Sequence, residues 1–181
     1  MKKIPTIFKR NPNNLKEILA EPHPDCEWVF KGEGVAMRKY DGTCCMVKNK
    51  KLWKRREIKK GKTIPEQFIL VDYDEITGKT VGWMPVEDNK QDCWYKQAFC
   101  DGDFPDGTYE LCGEKVQGNP EGLVGHILIA HKDAIQYDNF KRTFNGIKKF
   151  LATLNIEGFV FHHPDGRMAK IKKRDYGLSR K

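Results

Sequence analysis

The sequence lacks the patterns that would place a protein in a membrane or outside the cell. No apolar run approaches the roughly 20 residues that a helix needs to span a bilayer, and the chain start has no apolar stretch long enough for a secretory signal. None of the 6 cysteines forms a C-x-x-C pair, so the spacing typical of structural zinc sites is missing. We therefore expect an intracellular, cytoplasmic protein with reduced cysteines and no membrane partner.

Internal repeats, low-complexity stretches and linker-like segments are also absent. The 181 residues are 39% hydrophobic and 32% charged, a composition typical of folded globular domains and sufficient to bury a core. Short alternating segments outnumber helical ones. The sequence therefore predicts one α+β domain over residues 1–181.

The hydrophobic pattern predicts where helices and strands lie. Asn13 is predicted to cap a short N-terminal helix and Thr143 a second helix, with a third over residues 92–99. Residues 59–90 are predicted to be loop with short strands. Turns are predicted at Asp41-Gly42 and Asn49-Lys50. The predicted strands are Val35–Tyr40, Thr43–Lys48, Leu52–Ile58, Thr108–Cys112, His126–Ala130, Glu157–His162 and Arg167–Lys172.

Positive charge is concentrated in two segments of a chain whose net charge is +8. Lys48–Lys62 holds nine Lys or Arg with one Glu, and Arg167–Lys181 holds seven with one Asp. These segments together carry more positive charge than the whole chain, so the remaining residues are net acidic. Such a distribution favours a polyanion bound at a defined place, although charge runs are also common as solvated faces.

The sharpest local motif is Lys39–Gly42, which reads K-Y-D-G at the end of an apolar strand. A lysine in this position is either an ordinary surface residue before an Asp-Gly turn or a nucleophile. A nucleophilic lysine must lose its proton near pH 7, so its pKa has to fall from about 10.4. Burial and neighbouring positive charge both lower a lysine pKa.

Two glutamates and two lysines on later predicted strands are further candidates. Glu110 lies in a strand that enters a glycine-containing loop, and its ordinary interpretation is an exposed glutamate on an edge strand. Glu157 directly follows the Thr143 helix, and its ordinary interpretation is a helix-to-strand junction. Lys170 and Lys172 are two apart in a strand, so they share a face. Two lysines on one face repel unless an anion lies between them, which indicates a phosphate site or, alternatively, a basic exposed edge strand.

The order of these motifs resembles the covalent nucleotidyltransferase superfamily of polynucleotide ligases and capping enzymes. The chain resembles in particular the small single-domain ATP-dependent 5′-to-3′ RNA ligases, a family with a vertebrate member. The resemblance runs from about Gly34 to Leu178. The segments that carry it are Lys39–Cys45, Asp74–Gly78, Gly82–Val86, Asp106–Leu111, Gly118–Glu121, Ile156–His163, Asp165–Lys172 and Asp175–Leu178.

The resemblance implies an α+β nucleotidyltransferase (adenylation) fold, with antiparallel sheets and a few flanking helices. It implies that Lys39 attacks the α-phosphate of ATP and releases pyrophosphate, which leaves AMP on the lysine. The AMP then passes to the 5′-phosphate of RNA, and a 3′-hydroxyl displaces it to seal the strand. ATP is the implied co-substrate, Mg²⁺ or Mn²⁺ the implied cofactor, and RNA with 5′-phosphate and 3′-hydroxyl ends the implied partner.

The same matching implies roles in nucleotide binding. Asp41 corresponds to the aspartate that supports nucleotide and metal chemistry. Arg55 corresponds to the arginine that contacts the nucleotide or the RNA phosphate, with Arg56 as the alternative if the register shifts. Glu110 corresponds to the glutamate that binds the ribose hydroxyls.

The match also implies roles close to the reacting phosphate. Glu157 corresponds to the glutamate that orients the nucleotide and metal-bound water, so it is the implied metal residue. Lys170 and Lys172 correspond to the pair that holds the α-phosphate. These roles suit phosphoryl transfer, which depends mainly on positioning and charge neutralisation.

The chain departs from the family pattern in two places. The strand that should offer an aromatic ring to the purine instead contains His126 and His131, either of which could stack or be purely structural. The chain also ends soon after Lys172, without room for an OB-fold domain. That counts against a capping enzyme and, less strongly, against a typical DNA ligase.

Other functions remain open at this stage. A DNA nick ligase or a guanylyltransferase would use the same lysine chemistry. A non-catalytic nucleic-acid-binding module could instead use the basic strands to bind phosphates and Trp53 to stack on a base.

Overall fold

The computed structural model of the chain describes residues 2–75, 77–100 and 102–180. Ile76, within one of the matched segments, and Lys181, at the end of the second basic segment, lie outside the described residues. The chain divides into two compact units. Of the described residues, unit 1 contains 2–3 with Asp41–Asp133, and unit 2 contains Ile4–Tyr40 with 134–180. A single catalytic domain over the whole chain stays a prediction.

Short strands dominate the described residues, and the α+β class with antiparallel sheets and few helices is confirmed. None of the described helices is long and apolar enough to cross a membrane. The α-helices α1 to α3 are Glu27–Phe30, Cys93–Phe99 and Phe144–Thr153. The strands β1 to β12 are Phe8–Asn11, Asn14–Pro22, Val35–Lys39, Thr43–Lys48, Lys51–Ile58, Ile69–Asp74, Lys79–Pro85, Gly107–Gly113, His126–Ala130, Gln136–Tyr137, Gly158–His162 and Met168–Lys172.

Unit 2 is built on a four-stranded antiparallel sheet in the order β10-β3-β11-β12, counted over the described residues. Ile147 and Leu151 of α3 are fully buried against it, with Phe159 and Phe161 of β11. Burying each such side chain stabilises the fold by about 1.5–3 kcal/mol. The predicted cap is confirmed, because the Thr143 side chain accepts the backbone N–H of Gly146.

The predicted helix at Asn13 is wrong, because β1 and β2 form an antiparallel hairpin there. Asn13 donates its backbone N–H to the side chain of Asn11, so it takes part in a turn and caps no helix. Leu15 is 68% exposed, so Leu15, Ile18 and Leu19 do not form the single buried stripe that a helix here would require. Phe8 of β1 is buried in the core of unit 2 and anchors the hairpin. A short isolated helix has no comparable source of stability.

Unit 1 contains a six-stranded antiparallel sheet in the order β6-β7-β5-β4-β8-β9, again over the described residues. Helix α2 confirms the short helix predicted over residues 92–99, and it covers the core of this unit. Residues 59–90 hold more sheet than predicted, since β6 and β7 pair along their length. A register shift between Leu70 and Asp72 interrupts the alternation by which a strand would be recognised.

The sequence suggested that the Asp41-Gly42 turn closes a hairpin, but the structure shows that it does not. Strand β3 before it belongs to the four-stranded sheet and β4 after it to the six-stranded sheet, and the two strands are not paired. A Cβ atom at Gly42 would lie 2.2 Å from the carbonyl oxygen of Leu111. Glycine is therefore required here by close packing against β8, a reason that a two-residue turn motif does not reveal.

Candidate active site

Two of the predicted lysines lie on either side of strand β11 in the sheet of unit 2. Gly158, the first residue of β11, pairs with Lys39 of β3 on one side and with Lys172 of β12 on the other. Residues directly opposite each other in antiparallel strands project from the same face of the sheet. Because the residue between them is glycine, no side chain separates the two lysines above the sheet.

Glu157 joins these two lysines through its two carboxylate oxygens. Lys39 Nζ donates to Oε2 at 2.5 Å, and Lys172 Nζ donates to Oε1. The side chains of Lys39 and Glu157 are only 20% and 12% exposed. Burial raises the pKa of Glu157, but the positive charges and hydrogen bonds of the two lysines outweigh it, so the pKa lies below its ordinary value of 4.5. The carboxylate is therefore ionised near neutral pH.

Lys170 lies on the same face of β12 as Lys172. Ala169 and Ile171, which alternate with them, are fully buried, so the predicted division of the strand into a basic face and an apolar face is confirmed. The backbone of Lys170 is also paired: its carbonyl accepts from Ile7 N–H at 3.0 Å and its N–H donates to the Pro5 carbonyl at 2.8 Å. At this position β12 is therefore not the exposed edge strand of the alternative interpretation.

In unit 1, the Asp41-Gly42 turn is held by a glutamate that the sequence analysis did not single out. The backbone N–H of Asp41 donates to Glu121 Oε1 at 3.0 Å. Asn119 orders the loop around Glu121, since its side chain exchanges hydrogen bonds with the backbone of Leu123. Glu121 belongs to the matched segment Gly118–Glu121, so the sequence did contain a signal for it. A single carboxylate in a loop does not reveal that it binds the backbone of Asp41.

Glu110 is buried on β8, with 8% of its surface exposed, and has two polar neighbours from other elements. His131, in the short turn after β9, places Nε2 3.0 Å from Glu110 Oε2 and Nδ1 3.0 Å from Thr108 Oγ1. Cys44 of β4 lies directly opposite Glu110 in the sheet. His131 therefore orients the Glu110 carboxylate, whereas the sequence left open whether His131 stacks on the purine or is structural.

The sheet register distinguishes Arg55 from Arg56. Lys54 of β5 pairs with Cys45 of β4, so residues adjacent to these two project from the other face. Arg55 therefore shares a face with Glu110, and Arg56 lies on the opposite one. Arg55 Nη1 donates to Glu57 at 3.3 Å and its side chain is 23% exposed. This geometry favours Arg55 as the predicted arginine.

The basic segment around β5 is partly engaged within unit 1. Lys54 donates to both carboxylate oxygens of Asp92 at 2.5 and 2.6 Å, and Asp92 is 1% exposed. This lysine contributes to the fold and is not available to a polyanion. The exposed cations of the segment are Lys48, Lys50, Lys51, Arg56, Lys59, Lys60 and Lys62.

Both histidines of the β9 region have structural contacts. The His126 ring stacks on Trp94 at 4.6 Å, its Nδ1 lies 2.7 Å from Gln97, and its Nε2 accepts the Lys115 N–H at 3.2 Å. With both nitrogens engaged and a ring face covered, His126 is a buried structural residue. The side chain that would stack on the purine stays unassigned. None of the six cysteines is in a disulfide among the described residues.

Curated proteins named RNA ligase 1 are similar to this chain. The Rattus norvegicus protein is 26% identical in an alignment 223 residues long, which covers 80% of this chain and 67% of that protein. The Pongo abelii protein is 28% identical over 139 residues, covering 56% of this chain and 42% of that protein, and the Danio rerio protein is 27% identical over an equal length. The chain thus spans less than half of two of these relatives. No protein-family profile matches it. These likenesses support a distant relationship between the chain and RNA ligases.

Proposed function

We propose that the protein is an ATP-dependent RNA ligase with a nucleotidyltransferase fold, joining 5′-phosphate and 3′-hydroxyl ends. The observation that carries the proposal is the Lys39–Glu157–Lys172 cluster, in which one carboxylate holds the motif lysine beside a second lysine. The likeness to proteins named RNA ligase 1 supports RNA as the substrate. The proposed setting is the cytoplasm, where thiols stay reduced.

Glu157 controls the state of the proposed nucleophile. An ammonium group hydrogen-bonded to a carboxylate has no lone pair for attack, so the contact between Lys39 and Glu157 must open and Lys39 must lose its proton to solvent. The positive charge of Lys172 would then favour the neutral amine. In the first step a bond forms between Lys39 Nζ and the α-phosphorus of ATP, and the bond from that phosphorus to pyrophosphate breaks.

The lysines of β12 would stabilise the phosphate during this step. Negative charge develops on the oxygens of the α-phosphate as pyrophosphate leaves, and cationic groups fixed nearby lower the barrier. Lys170 and Lys172 occupy one face of a strand whose other face is anchored in the core. Their positions are thus set before the nucleotide arrives.

Three residues of unit 1 keep the roles that the family resemblance implies for them. Glu110 is assigned to the ribose hydroxyls, since a carboxylate oriented by His131 is a good acceptor for two vicinal O–H donors. Asp41 supports nucleotide and metal chemistry, and Arg55 contacts a phosphate of the nucleotide or the RNA.

Glu157 also fits the metal role. Mg²⁺ keeps several waters and needs only one or two carboxylates, and both oxygens of Glu157 already bind cationic groups that a metal ion could replace. When bound, Mg²⁺ or Mn²⁺ would neutralise negative charge on the phosphates.

The remaining steps return the lysine to its starting state. An oxygen of the RNA 5′-phosphate attacks the α-phosphorus of lysyl-AMP, the phosphorus–nitrogen bond breaks, and Lys39 regains a proton. The product is RNA capped with AMP through a pyrophosphate linkage. The 3′-hydroxyl then attacks the RNA phosphorus, a phosphodiester bond forms and AMP leaves.

Covalent labelling tests the proposal. The protein is incubated with Mg²⁺ and α-labelled ATP, GTP or NAD in separate reactions, and the products are resolved on a denaturing gel. We expect acid-labile label from ATP, none in Lys39→Ala or Lys39→Arg, and normal labelling in the exposed control Lys48→Ala. The arginine variant keeps a positive charge and separates loss of the nucleophile from loss of charge.

The alternatives give different results in the same assay. Label only from GTP would indicate a guanylyltransferase, and no label under any condition would favour the binding module. Adding 5′-phosphorylated RNA or nicked DNA to the labelled protein then identifies the acceptor. Discharge by DNA alone would replace the RNA ligase proposal with a DNA nick ligase.

A further inference from the structure

Unit 1 contains a group of three potential metal ligands of different chemical types. Cys44 Sγ, a carboxylate oxygen of Glu110 and a ring nitrogen of His131 all lie within 4.8 Å of one another. Glu110 is buried, and the other two side chains are half-buried. Two of the ligands lie on different strands and the third in the turn after β9, which is why no local spacing in the sequence indicates them.

The sheet fixes the positions of these ligands. Cys44 and Glu110 are directly opposite each other on β4 and β8, so their side chains leave the same face as neighbours. Glu110 pairs in turn with Ile129 of β9, and His131 follows the end of that strand. Ligands mounted on adjacent paired strands need little reorganisation to converge on an ion.

The donor set matches a borderline-soft divalent ion better than Mg²⁺. Sulfur, imidazole nitrogen and carboxylate oxygen are the ligands of Zn²⁺, whereas Mg²⁺ prefers oxygen. Zinc bonds of about 2.0–2.2 Å to nitrogen and oxygen in a tetrahedral site place these two atoms about 3.4 Å apart. His131 Nε2 and Glu110 Oε2 are already 3.0 Å apart. With a thiolate and a carboxylate, bound Zn²⁺ would be neutral overall, which suits a partly buried site.

Thr108 allows His131 to change partners. In the absence of metal, Nε2–H can donate to Glu110 while Nδ1 accepts from the Thr108 hydroxyl. A metal on Nε2 requires the other tautomer, in which Nδ1–H donates to Oγ1. A threonine hydroxyl is both donor and acceptor, so the outer hydrogen bond is satisfied in both states.

We propose that Cys44, Glu110 and His131 form a Zn²⁺ site, and that zinc bound there prevents adenylylation of Lys39. Zinc occupies the carboxylate assigned to the ribose hydroxyls, so metal and nucleotide exclude each other. The inhibition of adenylylation by zinc rests on the proposed function, whereas the binding of zinc does not.

Cobalt binding tests the site without any assay of activity. Co²⁺ is added to the reduced, chelator-treated protein, and the sulfur-to-cobalt charge-transfer absorption is recorded, followed by displacement with Zn²⁺. We expect the band to saturate at one equivalent of Co²⁺. Cys44→Ala should abolish the band, and His131→Asn should lower the affinity for Co²⁺ at least about 100-fold. Thr108→Val should weaken binding about tenfold, the usual loss for an outer-shell contact. Cys100→Ser, which removes an exposed thiol elsewhere in unit 1, is the matched control.

The same variants separate the possible failures. Equal cobalt spectra in Cys44→Ala, His131→Asn and wild type, with all melting temperatures unchanged, would overturn the site and leave only a His131–Glu110 hydrogen bond. Zinc should compete with ATP in the labelling of wild-type Lys39 but not of Cys44→Ala. If cobalt binds as expected and Lys39 never labels, the proposed function fails and the metal site stands. Equal zinc inhibition of both proteins would overturn the regulatory part.

Discussion

A Cβ atom on Gly158 would lie 2.0 Å from the carbonyl oxygen of Ile171 on the neighbouring strand. The obstacle is backbone, so it cannot move aside without distorting the pairing of β11 with β12. We expect Gly158→Ala to lower the free energy of unfolding by about 1–3 kcal/mol, as overpacking does elsewhere. We also expect loss of Lys39 labelling in protein that is still folded, since Gly158 lies between Lys39 and Lys172.

Gly107→Ala is the matched control for this substitution. Gly107 also lies in a strand, but the nearest contact of a Cβ there is 3.7 Å, which is ordinary packing. Urea unfolding and ATP labelling should both stay close to wild type, within about 0.5 kcal/mol for stability. Similar losses in the two variants would mean that any added methyl group disturbs these sheets.

Neighbouring lysines at the end of β12 should have separable effects. Lys172 contacts Glu157, whereas Lys173 is 4% exposed and donates to the Leu154 carbonyl at 2.5 Å. Lys172→Ala should reduce the labelling rate by about 100-fold with a small change in melting temperature. Lys173→Ala should lower stability by about 1–3 kcal/mol and leave labelling of the folded protein largely intact. If Lys172→Ala lowered stability and left labelling intact, Lys172 would be only a structural ion-pair partner.

Stability should depend on pH through Glu157. The two lysines lower its pKa against the opposing effect of burial. A carboxyl group whose pKa is lower in the folded state adds stability above its ordinary value, 4.5 for glutamate, and loses that contribution as pH falls through the folded value. Wild type should therefore exceed Glu157→Gln by about 2 kcal/mol near pH 7, with a smaller gap near pH 3.

Urea unfolding at a series of pH values measures this gap. Glu27→Gln is the control, because its contact with Lys31 is a surface pair at 4.0 Å between well-exposed side chains. Such pairs contribute little at any pH. A gap between wild type and Glu157→Gln that stayed constant from about pH 7 to about pH 3 would contradict ionisation of Glu157 within the cluster.

Local patterns predicted most of the strands and the alternation in β12, because a strand with one buried face carries its register in its own sequence. The Thr143 cap was predictable for a similar reason, since the cap and its N–H donor are three residues apart. The β1–β2 hairpin was not, because it depends on Phe8 reaching a core made by distant residues. Local propensity gives way to tertiary packing in such a segment.

In the candidate site too, the sequence predicted individual residues but not the contacts between distant ones. The matched segments selected Lys39, Glu157 and Lys172, and the structure brings these three together. Sequence could not show that Glu157 binds both lysines at once, since that contact joins residues 118 positions apart. Nor could it show the approach of His131 to Glu110, which depends on the pairing of β8 with β9.

Glu121 is expected to position the turn that follows the proposed nucleophile. Its Oε1 accepts the backbone N–H of Asp41, two residues after Lys39. Glu121→Ala removes the acceptor and should slow lysine labelling by about 10- to 100-fold, the range that a small misplacement of a reacting group produces. The apparent affinity for ATP should change much less, because this carboxylate is not assigned to the nucleotide.

Two further variants separate positioning from charge. Glu121→Gln removes the negative charge but keeps an oxygen acceptor for the Asp41 N–H, so its labelling rate should recover most of the way to wild type. Glu114→Ala, at an exposed site in the same loop, removes a carboxylate of the same charge without touching the turn. If Glu121→Gln were as slow as Glu121→Ala, the charge of Glu121 and not its hydrogen bond would be what the reaction requires. If Glu114→Ala were equally slow, neither contact would be specific.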